Sequence, residues 1–240
     1  MAPKEQVGKY TVFLKTARIF LILGKSSLIN SLRKVPNVKK TPDWQHNSSA
    51  GAPVGEIETT TELNWYECPQ DDNARRYVRL WDVPGCGTLD CPTKNYFIDK
   101  HLYVFDCLIM VSAGNLGEYE LNLINAAGAA GRMVIVVLSK SELKAESKAR
   151  DRHDTTDLSV TDYQPIVEDT INEAKAHMQA TIEKAKSKYT SLDVSKIFVV
   201  SSVKYREFFR NPNEINALLT FQTSKLLVYL LKTAKNKRLP

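Results

Sequence analysis

The sequence predicts an α/β fold, a mostly parallel sheet with helices on both faces and one antiparallel hairpin strand. Three observations predict it. Short apolar runs (Ile19 to Leu23, Phe105 to Val111, Met133 to Leu138, Ile197 to Val200) alternate with segments whose apolar residues recur at helical spacing. These runs are apolar on both faces, as buried parallel strands are. Polar groups follow the runs at their C-terminal ends, where open parallel sheets build their sites.

Arg18 to Leu23 is the first strand. It passes through Gly24-Lys25-Ser26-Ser27 into a helix whose apolar face is Leu28, Ile29 and Leu32. Val35 to Gly55, rich in Pro, Asn, Ser, Gly and Lys, reads as an exposed, mobile connection. Glu56 to Tyr66 carries Ile57, Thr59, Thr61, Leu63 and Trp65 at period two, a strand with one buried face. Pro69 and Asp71-Asp72-Asn73 turn the chain into a second strand, Arg76 to Trp81, so that the two form an antiparallel hairpin. Thr93 to His101 reads as helix, with Tyr96, Phe97 and Leu102 on an apolar side. Phe105 to Val111 is a third buried strand, followed by a helix from about Tyr119 to Ala127. Met133 to Leu138 is the fourth, ending in Ser139-Lys140-Ser141-Glu142. Leu143 to Gln164 is polar and charge-rich and reads as an insertion or long loop. Ile166 to Tyr189 is a helix with Ile166, Ile171, Ala174, Met178, Ile182 and Ala185 along one face. Ile197 to Val200 is the last strand, leading to Ser201-Ser202, and Glu214 to Lys232 closes the chain as an amphipathic helix.

With 240 residues, 43% hydrophobic and 25% charged, the chain is long enough for one large α/β domain of ordinary soluble composition. Residues 1–16 form an N-terminal extension and 17–240 the domain. A net charge of +6 permits an anionic partner, yet the excess is not gathered into one run. Its clusters, Arg33-Lys34 with Lys39-Lys40 and the terminal Lys232, Lys235, Lys237 and Arg238, read first as solvated surface. Nucleic acid has only the net charge in its favour and is not expected as a partner. Cys68, Cys86, Cys91 and Cys107 make no C-x-x-C pair and read as reduced structural thiols. No signal sequence is visible, and no apolar stretch approaches the roughly 18 residues of a membrane span. A cytoplasmic location is therefore the expectation. The last helix, with Leu226, Leu227, Val228, Leu230 and Leu231, is expected to dock on the sheet rather than lie on an anionic membrane.

The chemistry lies in the strand-end loops. Gly24-Lys25-Ser26 joins a buried strand to a helix start, where backbone N–H groups point at a phosphate, lysine reaches the β and γ phosphates, and serine ligates magnesium. The full pattern is G-x-x-x-x-G-K-[ST], and its first glycine would fall at Ile19, so this chain is about five loop residues short of it. Asp82-x-x-Gly85 follows a strand; its carboxylate suits magnesium and its glycine N–H a γ-phosphate, and the same residues suit an ordinary turn. Thr59, Thr60 and Thr61 lie where a switch threonine would complete magnesium coordination, and are also good strand residues. Guanine presents two adjacent N–H donors that a carboxylate accepts together, a role open to Glu142 with the Lys140 stem against the ring; a helix start explains the same residues. Ser201-Ser202 is placed for a backbone N–H to meet the guanine oxygen. Their order and shared position after strands predict a P-loop NTPase fold of the Ras-like G-domain type.

The sequence resembles the immunity-related (interferon-inducible) GTPases. The resemblance is carried by Gly-Lys-Ser-Ser-Leu-Ile-Asn-Ser-Leu-Arg (24–33), Gly-Glu-Ile-Glu-Thr-Thr-Thr-Glu (55–62), Leu-Trp-Asp-Val-Pro-Gly-Cys-Gly-Thr (80–88), Tyr-Val-Phe-Asp-Cys-Leu-Ile-Met-Val-Ser-Ala (103–113) and Val-Leu-Ser-Lys-Ser-Glu (137–142), and covers about Ala17 to Leu239. It implies GTP and GDP as ligands with Mg²⁺. Gly24, Lys25, Ser26 and Ser27 would lie at the phosphates; Ser26, Thr60 and Asp82 at the metal; Gly85 at the γ-phosphate; Lys140, Glu142, Ser201 and Ser202 at the base. It also implies a cytoplasmic protein that pairs through its G domain as a homo- or heterodimer, associates peripherally with intracellular membranes and acts in cell-autonomous defence. Three features depart from the family: the upstream glycine loop is absent, Thr-Lys-x-Asp is Ser-Lys-Ser-Glu, and the helices flanking the G domain are largely missing.

Three readings follow. The first is a GTPase using in-line attack of water, with no water-positioning residue identified. The second is a pseudo-GTPase, an interaction module whose shortened cradle binds nucleotide weakly because each lost hydrogen bond to a charged phosphate forfeits about 1.5–3 kcal/mol. The third, a P-loop ATPase or kinase, is disfavoured by Ser139-Lys140-Ser141-Glu142.

Overall fold

The strand β1 (Arg18–Leu23) lies between β3 (Val78–Val83) and β4 (Cys107–Ser112) and pairs parallel with both. With β2 (Asn64–Glu67), β5 (Met133–Leu138) and β6 (Lys196–Val199) they make one six-stranded sheet in the order β2-β3-β1-β4-β5-β6. Among the described strands only β2 runs antiparallel, pairing Asn64 with Asp82 and Glu67 with Arg79, as the hairpin pattern predicts. The computed structural model describes residues 18–23, 26–39, 41, 45–55, 63–68, 78–83, 95–156, 158–212 and 217–236.

Period-two geometry sends alternate residues of each inner strand to opposite faces. Leu108 and Met110 of β4 with Val134, Val136 and Leu138 of β5 join one core, while Cys107, Ile109, Val111, Ile135 and Val137 join another. The first core is closed by α3 (Glu118–Ala129), α4 (Ser141–His153) and α5 (Val160–Lys186) through Leu123, Ile124, Ala145, Ile166 and Met178. The second is closed by α1 (Ser26–Arg33) and α7 (Thr223–Asn236) through Leu28, Ile29, Leu32, Leu226 and Leu230. Helices therefore cover both faces, and α7 docks on the sheet as expected. Gly128 of α3 permits a close crossing, since a Cβ there would meet the Ser191 carbonyl at 1.9 Å.

Several expectations are corrected. The segment expected as a loop from Leu143 to Gln164 is mostly helix, forming α4 and the first turn of α5, with Ser159 accepting from the Asp162 N–H as N-cap. Within α4 the buried apolar stripe is only Ala145 and Ala149, too small and narrow to register as apolar periodicity. The helix expected over Thr93 to His101 is a single turn, α2 (Tyr96–Asp99), followed by a 3-10 turn at Leu102–Val104. An unexpected helix, α6 (Ser202–Arg210), follows β6, and the closing helix is preceded by a 3-10 turn at Ala217–Thr220. The connection expected to be exposed is partly interior: Gly51, Ala52 and Pro53 are buried. Arg33, expected on the surface, is 1% exposed. Cys68 and Cys107 are buried; Cys86 and Cys91 lie outside the described residues, as does the upstream part of the expected strand, Glu56 to Glu62. Among the described residues no helix is long and apolar enough to cross a membrane.

Candidate functional site

The C-terminal ends of β1, β3, β5 and β6 lie along one edge of the sheet and deliver the site. β1 ends at Leu23 and α1 begins at Ser26, so two residues connect them. The register sets Ile22 beside Asp82, the penultimate residue of β3. The first turn of α1 thereby brings the Ser26 hydroxyl to the Asp82 carboxylate, which accepts its hydrogen bond at 2.5 Å. Asp82 is 2% exposed, and its charge joins burial in pushing the Tyr66 phenol above its ordinary range. A hydroxyl and a carboxylate at one point are hard oxygen donors of the kind magnesium shares with phosphates and water, so this pair fits the ion. Among the described residues no three His, Cys, Asp or Glu side chains form a self-contained metal cage.

The expected base side lies at two neighbouring strands, with Leu138 of β5 in register with Val199 of β6. Beyond β5, the Ser139 N–H donates to the Ser112 carbonyl at 2.7 Å, and Lys140 takes a left-handed conformation (φ 57°) with its side chain exposed. The Ser141 hydroxyl donates to the Leu138 carbonyl at 3.2 Å. This tight turn presents Glu142 in the first turn of α4, 7% exposed, with one carboxylate oxygen, Oε2, buried and making no hydrogen bond among the described residues. A buried carboxylate oxygen with no donor among the described residues is an unsatisfied acceptor, the kind of group for which a native fold has a reason.

Ser201 and Ser202 divide. Ser201 is fully buried: its N–H donates to the Thr223 hydroxyl at 3.3 Å and its own hydroxyl caps α6 by accepting from the Lys204 N–H at 3.1 Å. Its groups are engaged inside the fold. Ser202, half-buried, accepts at its carbonyl from the Ser31 hydroxyl at 3.2 Å. Ser27 is half-buried beside Ser26. Gly24, Lys25, Thr60 and Gly85 lie outside the described residues.

Two groups of residues beside the site escaped the sequence reading. In the last turns of α1, Asn30 donates to the Ala52 carbonyl at 2.8 Å and accepts from the Ala52 N–H at 2.6 Å. Arg33 donates from Nε to the Glu67 carbonyl at 2.6 Å and from its terminal nitrogens to Ala50 (2.6 Å), Ser48 (2.9 Å) and Ser49 (3.0 Å), with Tyr66 stacked 5.2 Å from the guanidinium. Burial draws the Arg33 guanidinium below its ordinary range, opposed by Cys68, Tyr66 and Glu67. This lock ties the helix that starts at the expected phosphate site to the strand that follows the expected switch. The second is α6, whose Arg206 reaches α1. The aromatic residues Tyr205, Phe208 and Phe209 beside Arg206 and Arg210, after a capping serine, were the available signal for it.

The family model described as Interferon-inducible GTPase (IIGP) matches residues 23–209. Among curated relatives, the T-cell-specific guanine nucleotide triphosphate-binding protein 2 of Mus musculus is 32% identical over 131 residues, covering 54% of this chain and 28% of the relative. Interferon-inducible GTPase 1 of Mus musculus is 27% identical over 134 residues, covering 56% and 29%. Interferon-inducible GTPase 5 of Bos taurus is 32% identical over 117 residues, covering 49% and 22%. The chain thus spans less than a third of the length of these relatives. Among solved structures, translation elongation factor SelB of Methanococcus maripaludis with the GTP analogue GppNHp aligns at TM-score 0.46 and 11% identity, covering 92% of this chain and 34% of that one, too loosely to carry argument.

Proposed function

The chain belongs to the interferon-inducible GTPase family, and from that premise we propose that it binds guanine nucleotide with Mg²⁺ and hydrolyses GTP to GDP. The observation that carries the reading is the unbonded Glu142 carboxylate at the same sheet edge as the Ser26–Asp82 pair. Glu142 accepts the N1–H and 2-amino donors of guanine, with the Lys140 stem beside the ring. Lys25, with the N–H groups at the start of α1, binds the phosphates. Ser26, Asp82 and Thr60 hold the ion, which when bound neutralises charge on the β and γ phosphates. Gly85 meets the γ-phosphate and Ser202 the base. Family membership extends the proposal to a cytoplasmic protein that pairs through this domain, associates peripherally with intracellular membranes and serves cell-autonomous defence.

One observation favours a second reading. β1 occupies Arg18–Leu23, the positions a full phosphate loop would need, and only residues 24 and 25 separate it from α1. A cradle that short supplies fewer N–H donors to the β-phosphate, the property of a nucleotide-poor interaction module. Titration of a fluorescent GTP analogue with Mg²⁺, using ATP as competitor and Lys25→Ala as control, decides between them. Micromolar binding that ATP does not displace and Lys25→Ala abolishes supports the GTPase; no binding at millimolar nucleotide leaves the interaction module.

A further inference from the structure

Where β6 ends the described sheet, it forms with α7 a groove that lies apart from the candidate nucleotide site. α7 buries Leu226, Leu227, Leu230 and Ala234 in the core beneath it. Its outward stripe is Lys225, Val228, Tyr229 and Lys232, at the i, i+3, i+4, i+7 spacing of one helical face. With Lys196 and Phe198 of β6 this stripe lines a cavity of about 440 Å³. Phe198, 8% exposed and with its ring 5.6 Å from that of Tyr229, is the floor, and Val228, 49% exposed, is the apolar shoulder. The three lysines stand exposed around them.

None of these three lysines meets a carboxylate among the described residues, whereas Lys148, Arg152, Lys186, Lys188 and Lys204 each do. Lys175 of α5 adds a fourth charge, sharing an adjoining cavity of about 370 Å³ with Lys196. The acids of that cavity are Asp193 and Glu183, and Glu183 is already bonded to Lys186 at 2.6 Å. Unpaired cations around an exposed apolar floor call for an occupant that is both acidic and apolar. The shape narrows it further. A bilayer is flat and meets the lysines before it meets Phe198, and a second copy sets lysines against lysines across a two-fold contact. A helix is convex, about 10 Å across, and reaches such a floor with one stripe of its own side chains. Lys225 and Lys232 are two turns apart, about 10 Å along the axis, the spacing of acids two turns apart on a partner helix. We propose that the groove between α7 and β6 binds an acidic amphipathic helix of a partner protein, its apolar residues on Phe198, Val228 and Tyr229 and its carboxylates on Lys196, Lys225 and Lys232. The inference is independent of the guanine reading.

The probe is a fluorescein-labelled, lactam-stapled helix of about 15 residues, with leucines at i, i+3, i+4 and i+7 flanked by glutamates, and the control is the same helix with lysines for glutamates. Anisotropy titrations on the full chain at about 0.15 M salt should give a dissociation constant on the order of 10–100 μM for the acidic helix and at least tenfold weaker binding of the basic one. Lys225→Glu with Lys232→Glu, both exposed positions, should reverse that preference. Lys144→Glu with Lys184→Glu changes the net charge equally away from the groove and should leave acidic-helix affinity within about threefold of wild type. Val228→Asp should weaken the acidic helix about tenfold. Equal losses in the two double variants reduce the interaction to net charge and overturn the inference. No binding of the acidic helix below about 1 mM overturns it as well. In that case co-sedimentation with phosphatidylserine vesicles that Lys225→Glu with Lys232→Glu abolishes gives the face to a membrane, and a concentration-dependent dimer that the same variant abolishes gives it to a second copy. Neither leaves the lysines as guards of the sheet edge.

Discussion

Arg33 and Glu142 are both charged, both buried and both on helices that follow parallel strands, yet the fold treats them oppositely. Arg33 closes the last turn of α1 with four backbone carbonyls as acceptors and an aromatic face beneath it. Glu142 opens α4 with an oxygen that no group of the described chain meets. Burying a charge is costly in either case, and only complete hydrogen bonding offsets it from within. The difference separates two uses of a buried charge: one whose partners are built into the fold is architecture, and one with no partner among the described residues is a candidate site.

The largest expected effect tests the architectural half. Arg33→Ala removes donors to four carbonyls that converge from residues 48–50 and β2, and should destabilise the protein by about 3–5 kcal/mol, seen as a lower midpoint in urea denaturation. A loss under about 1 kcal/mol would show that water replaces the guanidinium and that the lock is dispensable. Asn30→Ala comes next. It breaks a reciprocal pair with Ala52 at a fully buried position and should cost about 2–3 kcal/mol, read by the same titration.

Glu142→Gln should sharpen the comparison by changing stability little while changing ligand binding much. Removing a buried charge with an unbonded oxygen should leave the unfolding free energy within about 0.5 kcal/mol of wild type or raise it. Guanine affinity should fall on the order of tenfold or more, because an amide turns a donor where the base needs an acceptor. A Glu142→Gln protein that loses as much stability as Asn30→Ala would place Glu142 with the architecture.

Much of this arrangement was legible in the sequence, for reasons that also explain what was not. β4 and β5 are continuous apolar runs, and the hairpin announces itself by alternation, so the sheet and its antiparallel edge could be read directly. Glu142, Ser26 and Asp82 were singled out because strand ends mark by topology where open parallel sheets place their sites. Arg33 was misread because an arginine beside a lysine looks solvated, and its acceptors are backbone carbonyls from distant residues that carry no side-chain signature. α4 was missed because two alanines make its buried stripe. That the Ser201 N–H is engaged inside the fold depended on Thr223, a contact 22 residues away.

The smallest effect joins both halves of the comparison. Tyr163 in the first turns of α5 is 8% exposed, and its hydroxyl, like Glu142 Oε2, is buried without a hydrogen bond. Burial first, then the charges of Glu146 and Glu142, push its phenol up to about 12. At neutral pH Tyr163→Phe should change stability by less than about 0.5 kcal/mol, since the hydroxyl it deletes has no partner to lose. Above pH 10 the two proteins should part. An unfolded tyrosine ionises near 10 whereas the folded one holds its proton to about 12, so the unfolded chain sheds the proton first. The contribution of Tyr163 is therefore complete below pH 10 and is lost as pH rises through 12. Tyr66, also raised, acts in the same direction in both proteins and cancels in their difference. Denaturation midpoints followed from pH 8 upward should fall less steeply for Tyr163→Phe, and parallel curves would refute the account. In a Glu142→Gln background the gap should shrink, because one of the two charges holding that proton on the phenol has gone.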